Sequence, residues 1–261
     1  VLRLKEWTRK INIEGEIIAE EPLAGHTTFR VGGPADLFAR PAHTDDLIAI
    51  VTAAEQEGIP WFVLGGGSNI LVSDRGVRGL VIDAKGLDHW HLEDTTLVVD
   101  AGLPVSDAAA FAAEHGLGGL DFIYAMPGSV GGAVWMNARC YDGEIYNVLQ
   151  NVEYVGRDGT LVSYTPREED FGYKRSPFME WDAVMTRIRF TLHEAAPAEL
   201  WEKMRDHEAD RRAKGHFAAP CAGSVFKNNR AFGRPSGAII DSLEMRGFRI
   251  GDAQVSDRKS T

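Results

Sequence analysis

Apolar positions recur at helical spacing after Thr44: Leu47, Ile48, Ile50, Val51 and Ala54 share one face, and Asp45 and Asp46 fill the first turn. Thr44 is the expected N-cap, and Gly58 with Pro60 stops the helix. Trp61–Leu64 is an apolar run of buried-strand length, followed by Gly65-Gly66-Gly67-Ser68-Asn69 and a second strand expected from Ile70. Ser106 is the expected cap of a short alanine-rich helix ending at Gly116. Val152–Tyr164 turns at Asp158-Gly159 and predicts a hairpin. Residues 184–192 alternate: Val184, Thr186, Ile188, Phe190 and Leu192 face one way, Met185, Arg187, Arg189 and Thr191 the other. Pro197 then sits in the first turn of a charged helix expected to reach about Lys214. No internal repeat interrupts this order.

Composition narrows the class. The chain has 261 residues, 44% hydrophobic and 25% charged, enough for one large or two small packed domains. No apolar run approaches the length of a membrane span, so no membrane insertion is expected. The net charge of −10 argues against a nucleic-acid partner, because neutralising phosphates needs an excess of Lys and Arg. Residues 201–261 carry 12 Lys and Arg against 8 Asp and Glu, so a basic C-terminal part follows an acidic body. That part either receives an anionic small molecule or is a solvated face. The change in charge, with Glu194-Ala-Ala-Pro197, predicts a domain boundary near residue 197. Cys140 and Cys221 form no CxxC pair, no metal-ligand spacing is present, and nothing resembles a signal peptide, so a reducing cytoplasm is the expected location.

The chemistry lies in the glycine clusters. Gly65-Gly66-Gly67-Ser68-Asn69 sits between strands, so it is neither a dinucleotide fingerprint opening a helix nor a Walker loop. Three glycines free backbone N–H groups to converge on an anion, with Ser68 and Asn69 adding side-chain donors; the alternative is a tight turn. Pro127-Gly128-Ser129-Val130-Gly131-Gly132-Ala133 runs into Val134-Trp135-Met136-Asn137-Ala138. This second cluster either lies against a ligand or packs its backbone on a neighbouring element. Together the two suggest an extended, phosphate-bearing ligand held between them.

Leu64–Leu71, including Ile70 and Leu71, and Pro127–Ala133 with Asn137-Ala138 resemble the flavin-binding segments of the UDP-N-acetylenolpyruvoylglucosamine reductase family. So does Thr28-Phe-Arg-Val-Gly-Gly-Pro-Ala35, and the likeness continues through Phe171-Gly-Tyr-Lys-Arg-Ser176, Ala222-Gly-Ser-Val-Phe-Lys-Asn228 and Gly251-Asp-Ala-Gln-Val-Ser256. The resemblance implies an α+β fold: a two-lobed FAD-binding domain of the vanillyl-alcohol-oxidase type over residues 15–197, then a smaller α+β substrate-binding domain over 198–261, incomplete at its C-terminus. It implies bound FAD, NADPH as hydride donor and a UDP-sugar substrate, in the synthesis of UDP-N-acetylmuramate for peptidoglycan. Two other readings stay open, an FAD oxidase on the same fold and a non-catalytic flavin- or nucleotide-binding module.

By the same resemblance, Gly65–Leu71, Pro127, Gly128, Ser129, Gly131, Gly132, Ala133, Asn137 and Ala138 contact the cofactor. Ser224 is the proton donor; taken alone, it reads as a loop hydroxyl bonding its own backbone. Tyr173, Lys214, Gly223, Lys227 and Asn228 contact substrate, although Tyr173 alone is equally a half-buried aromatic and Lys227-Asn228 a solvated turn. The family's Tyr-Arg-x-Ser is here Tyr173-Lys174-Arg175-Ser176. Lys174 takes the arginine's place as the cation on the substrate carboxylate without its planar fork, with Arg175 in reserve. Asn229 stands for a proline and Arg139 for a small residue. The family glutamate that works with the serine and arginine has no match before Thr261.

Overall fold

The computed structural model describes residues 7–8, 11–224, 226–251 and 253–255. The chain divides into two compact units, Val1–Cys221 and Ala222–Thr261.

The first lobe of the first unit comprises β1 (Glu16–Pro22), β2 (Pro34–Arg40), α1 (Thr44–Gln56), β3 (Trp61–Leu64) and β4 (Val77–Asp83). Strand order is β1-β2-β4-β3; β1 is antiparallel to β2, and the other neighbours are parallel. β2 and β4 are covered on both faces, which is why Leu37-Phe38-Ala39 and Leu80-Val81-Ile82 run apolar without alternation. Leu37, Ala39, Leu80 and Ile82 share a core with Leu47, Ile50, Val51 and Ala54 of α1. Phe38 and Val81 pack on the opposite face with Leu23 and Leu64.

Two expectations are corrected here. The N-cap of α1 is His43, whose Nδ1 accepts the Asp46 N–H at 3.3 Å, and Thr44 is already helical. No strand starts at Ile70. Because β3 and β4 are parallel, the chain cannot turn back on itself, and residues 65–76 form a crossover that carries the first glycine cluster over the end of the sheet.

Asp46 ties this lobe together. Its carboxylate is buried and accepts N–H bonds from Glu14 at 3.0 Å, Gly15 at 2.8 Å and Ala42 at 2.9 Å. Burial pushes its pKa up, but the three backbone donors outweigh it and hold the group below its ordinary 3.8. Asp46→Asn, which turns an acceptor toward these donors into a donor, is expected to cost about 1–3 kcal/mol at neutral pH. The carboxylate's contribution is complete above the unfolded value of 3.8 and is lost as pH falls through the lower folded value. Urea melts should therefore separate the two proteins at pH 6 and bring them together only as pH falls well below 3.8.

The second lobe comprises β5 (Trp90–Glu93), β6 (Thr96–Asp100), α2 (Val105–Glu114), β7 (Leu117–Gly118), α3 (Val130–Trp135), β8 (Arg139–Cys140), β9 (Gly143–Glu144), β10 (Leu149–Gly156), β11 (Leu161–Tyr164), β12 (Ala183–Thr191), β13 (His193–Glu194) and α4 (Pro197–Ala213). Five of these strands form an antiparallel sheet in the order β11-β10-β12-β6-β5. Val184, Thr186, Ile188 and Phe190 of β12 are buried as the alternation predicts, while Arg187 and Arg189 pair across the other face with Asp100 and Glu93. The β10–β11 hairpin turns at Asp158-Gly159, whose glycine has φ +79°. Ser106 does not cap α2; its Oγ accepts the Ala125 N–H at 3.0 Å, and the capping position is Pro104. Val155 and Val184 of this sheet are buried in the first lobe's core, so the lobes share packing.

α4, expected to open the second domain, places Leu200 and Met204 in the second lobe's core. The compact units part only after Cys221. Two apolar residues four apart are enough to seat an otherwise charged helix. Among the described residues no helix is long and apolar enough to cross a membrane, and both cysteines are free thiols.

In the second unit, α5 (Ser236–Ser242) is followed by β14 (Arg249–Ile250) and β15 (Ala253–Gln254), an antiparallel pair.

Candidate functional site

The two glycine clusters, sixty residues apart in sequence, lie directly on one another. A Cβ on Gly66 would come within 2.5 Å of the Gly128 Cα, and one on Gly65 within 2.4 Å of Ser129 Oγ. Ser68 Oγ donates to the Pro127 carbonyl at 3.1 Å, and Asn69 Nδ2 lies 3.4 Å from Met136 Sδ. The third motif joins them: the Thr28 N–H donates to the Gly67 carbonyl at 3.1 Å. Thr28 Oγ1 also donates to the Cys221 carbonyl at 2.7 Å, tying the last residue of the first unit to the same place. The two clusters thus form one continuous surface, and close contact between them explains glycine at 65, 66 and 128.

Packing does not explain everything on that surface. Gly132 lies exposed within α3, and a Cβ there would meet nothing nearer than Ser129 Oγ at 3.3 Å. Helices favour alanine over glycine, so a bare position there suits the close approach of a ligand. The N–H groups of Gly66, Gly67, Ser68 and Asn69 meet no acceptor among the described residues. Leu71 beside them is 72% exposed. Free donors, an open glycine and an uncovered apolar side chain fit a dinucleotide carrying a diphosphate and flat rings.

Three members of the second cluster are engaged elsewhere. Ser129 is buried, and its Oγ caps α3 by accepting the Gly132 N–H at 3.2 Å; Gly131 packs against Ala101, and Ala133 is core. Asn137 has its side chain most fully taken up. It is 0% exposed, and its carboxamide makes three hydrogen bonds within the protein: Nδ2 donates to the Glu144 carboxylate and to the Gly172 carbonyl at 3.0 Å, and Oδ1 accepts the Tyr146 N–H at 3.1 Å. Its side chain offers nothing to a ligand. Ala138 is half-buried beside it.

Tyr173 and Lys174 form the corner of a tight turn closed by Gly172 and Arg175, which exchange hydrogen bonds of 3.1 and 3.0 Å. Tyr173 and Arg175 are exposed, and Lys174 has a left-handed φ of +51°. Ser176 is buried, with Oγ donating to the Trp135 carbonyl at 2.7 Å. The motif suggested neither this bond nor the Asn137 network, because both join segments about 35 to 41 residues apart.

Lys214 follows α4 and pairs with Asp210 at 2.6 Å; the same carboxylate oxygen accepts the Tyr141 hydroxyl at 2.7 Å. The bonds from Lys214 and then Tyr141 hold the Asp210 carboxyl below its ordinary range, while burial and the neighbouring Asp210 push Tyr141 up to about 12. Tyr141 therefore stays a donor at any physiological pH.

In the second unit, Gly223 (φ +80°), Ser224, Lys227 and Asn228 lie on one exposed loop. Asn228 is exposed, and its Oδ1 accepts the Ser236 N–H at 2.9 Å. Ser224 makes no hydrogen bond to its own loop among the described residues. Val225, Asp252 and Ser256 of the quoted motifs lie outside the described residues. Of the two departures, Asn229 turns its own loop by accepting the Ala231 N–H at 2.9 Å, and Arg139 is exposed, 4.0 Å from Glu144.

Known proteins match both parts of the chain. The FAD binding domain family model matches residues 35–165, and that of the UDP-N-acetylenolpyruvoylglucosamine reductase C-terminal domain matches residues 215–261. The chain is 36% identical over 257 residues to the UDP-N-acetylenolpyruvoylglucosamine reductase of Borrelia garinii subsp. bavariensis, covering 98% of this chain and 83% of that one. The crystal structure of the reductase from Thermus caldophilus superposes with a TM-score of 0.78, at 33% identity, over 95% of this chain and 87% of that one. A 6-hydroxy-D-nicotine oxidase from Arthrobacter nicotinovorans, at 20% identity and a TM-score of 0.58 over 70% of this chain and 43% of that one, shares the two-lobed fold alone. With an FAD-binding domain followed by the C-terminal domain particular to these enzymes, the chain belongs to the UDP-N-acetylenolpyruvoylglucosamine reductase family.

Proposed function

We propose that this protein reduces UDP-N-acetylglucosamine enolpyruvate to UDP-N-acetylmuramate with NADPH, in the cytoplasmic synthesis of peptidoglycan precursors. The observation supporting this over an oxidase on the same fold is the match of residues 215–261 to the reductase's own C-terminal domain. In this reading the glycine surface of the first unit, with the free N–H groups of Gly66–Asn69, holds the FAD diphosphate. Residues 215–261 supply the substrate-binding domain.

Bound FAD supplies hydride transfer, from NADPH to C3 of the enolpyruvyl group. Addition at C3 leaves negative charge on C2 and the substrate carboxylate. Lys174, with Arg175 beside it, stabilises that charge as a point cation, and Tyr173 lies against the same group. Ser224 delivers the proton to C2, completing the lactyl ether. Lys214, Lys227 and the Asn228 amide bind the diphosphate and sugar, and Gly223 lets the backbone approach.

The visible spectrum tests the assignment directly. Under anaerobic conditions the flavin bands should bleach on addition of NADPH and return on addition of the enolpyruvyl sugar nucleotide. A flavin that NADPH leaves oxidised would overturn the proposal, and one that only oxygen reoxidises would favour the oxidase reading.

A further inference from the structure

We propose that Asn137 and Ser176 are positioning residues that fix the Tyr173–Lys174 turn to the end of α3. The proposal rests on the reading above that this turn meets the substrate. Gly172 and Ser176 bracket the turn, and each is held by the segment that follows the second glycine cluster: the Gly172 carbonyl by Asn137 Nδ2 at 3.0 Å, and Ser176 Oγ on the Trp135 carbonyl at 2.7 Å. The two anchors are therefore residues 135 and 137, and α3 itself begins at the Ser129 cap of that cluster.

Both side chains are buried, Asn137 at 0% and Ser176 at 1% exposure, so water does not compete for these bonds. Glu144 and the Tyr146 N–H complete the carboxamide's partners and lock its orientation, and Asn137 holds a left-handed φ of +42° of the kind its short side chain tolerates. The turn carries an independent mark of constraint: Lys174 sits at φ +51°, a conformation unfavourable for a residue with a Cβ, which persists where flanking structure over-determines it. A fixed backbone matters most for a lysine, whose flexible stem has no planar fork to orient it. The anchors thus set where the cation starts relative to the cofactor surface.

Ser176→Ala removes one anchor with little change in volume. Calorimetric titration of the oxidised holoenzyme with the enolpyruvyl sugar nucleotide should show about three- to tenfold weaker binding, the scale of one hydrogen bond. Flavin content and the rate of bleaching by NADPH should stay within about twofold. Combined with Lys174→Ala, the serine change should add nothing, because its effect passes through that lysine. Asn137→Ala should give the same pattern, larger, with a lower Tm.

Unchanged affinity in Ser176→Ala, or loss of its flavin, overturns the positioning role. If Lys174→Ala weakens binding and Ser176→Ala weakens it by the same factor again, that role falls while the reading of the turn as a substrate site stands. A Lys174→Ala protein with unaltered affinity overturns both.

Discussion

Ser224→Ala is expected to slow reoxidation of the flavin by the enolpyruvyl sugar nucleotide by about 10²–10⁴-fold, the usual cost of losing a positioned proton donor. Reduction by NADPH should change little, because that half of the reaction delivers no proton to C2. The variant is mild structurally: Ser224 is exposed and has no hydrogen-bond partner among the described residues, so alanine leaves no buried group orphaned. Stopped-flow absorbance at the flavin band separates the two halves. Equal slowing of both would move the serine's role to binding or folding. Full activity would remove the serine from the reaction and leave the proton to another donor.

The second large effect is at the meeting of the glycine clusters. In Gly66→Ala the new methyl faces the backbone of Gly128 at 2.5 Å, and a main chain held on both sides has no rotamer with which to yield. The clusters must separate, at about 1–3 kcal/mol or more, and the purified protein should carry less than a tenth of the wild-type flavin. Gly132→Ala sharpens the comparison. There the protein leaves room, and helix propensity should hold stability within about 1 kcal/mol of wild type or raise it. Any fall in FAD affinity would then come from the methyl meeting the cofactor itself. A Gly132→Ala protein that binds FAD normally would separate this position from the cofactor surface, and a Gly66→Ala protein with full flavin would undo the account of the packed clusters.

What the sequence revealed well was local. The α1 face, the Asp158-Gly159 hairpin and the alternation of β12 each depend on residues a few positions apart, and each stands in the structure. What it concealed depends on distant partners. The missing strand at Ile70 follows from the parallel pairing of β3 with β4, which no single segment announces. Ser106 reads as a cap until Ala125 claims its hydroxyl, and α4 reads as a new domain until Leu200 and Met204 find the second lobe's core. The motif residues were legible as a set, but their division of labour was not. The side chains of Asn137 and Ser129 are taken up by neighbouring protein groups, whereas the open side of Gly132 and the N–H groups of Gly66–Asn69 are left uncommitted.

The burial of Val155 and Val184 among the side chains of the first lobe has a mechanical corollary. Two sheets that interlock in this way resist swinging apart like jaws, so the spacing of the glycine clusters is expected to be the same with and without flavin. If the clusters seat the cofactor as proposed, its dissociation should quicken with denaturant well before the whole protein unfolds.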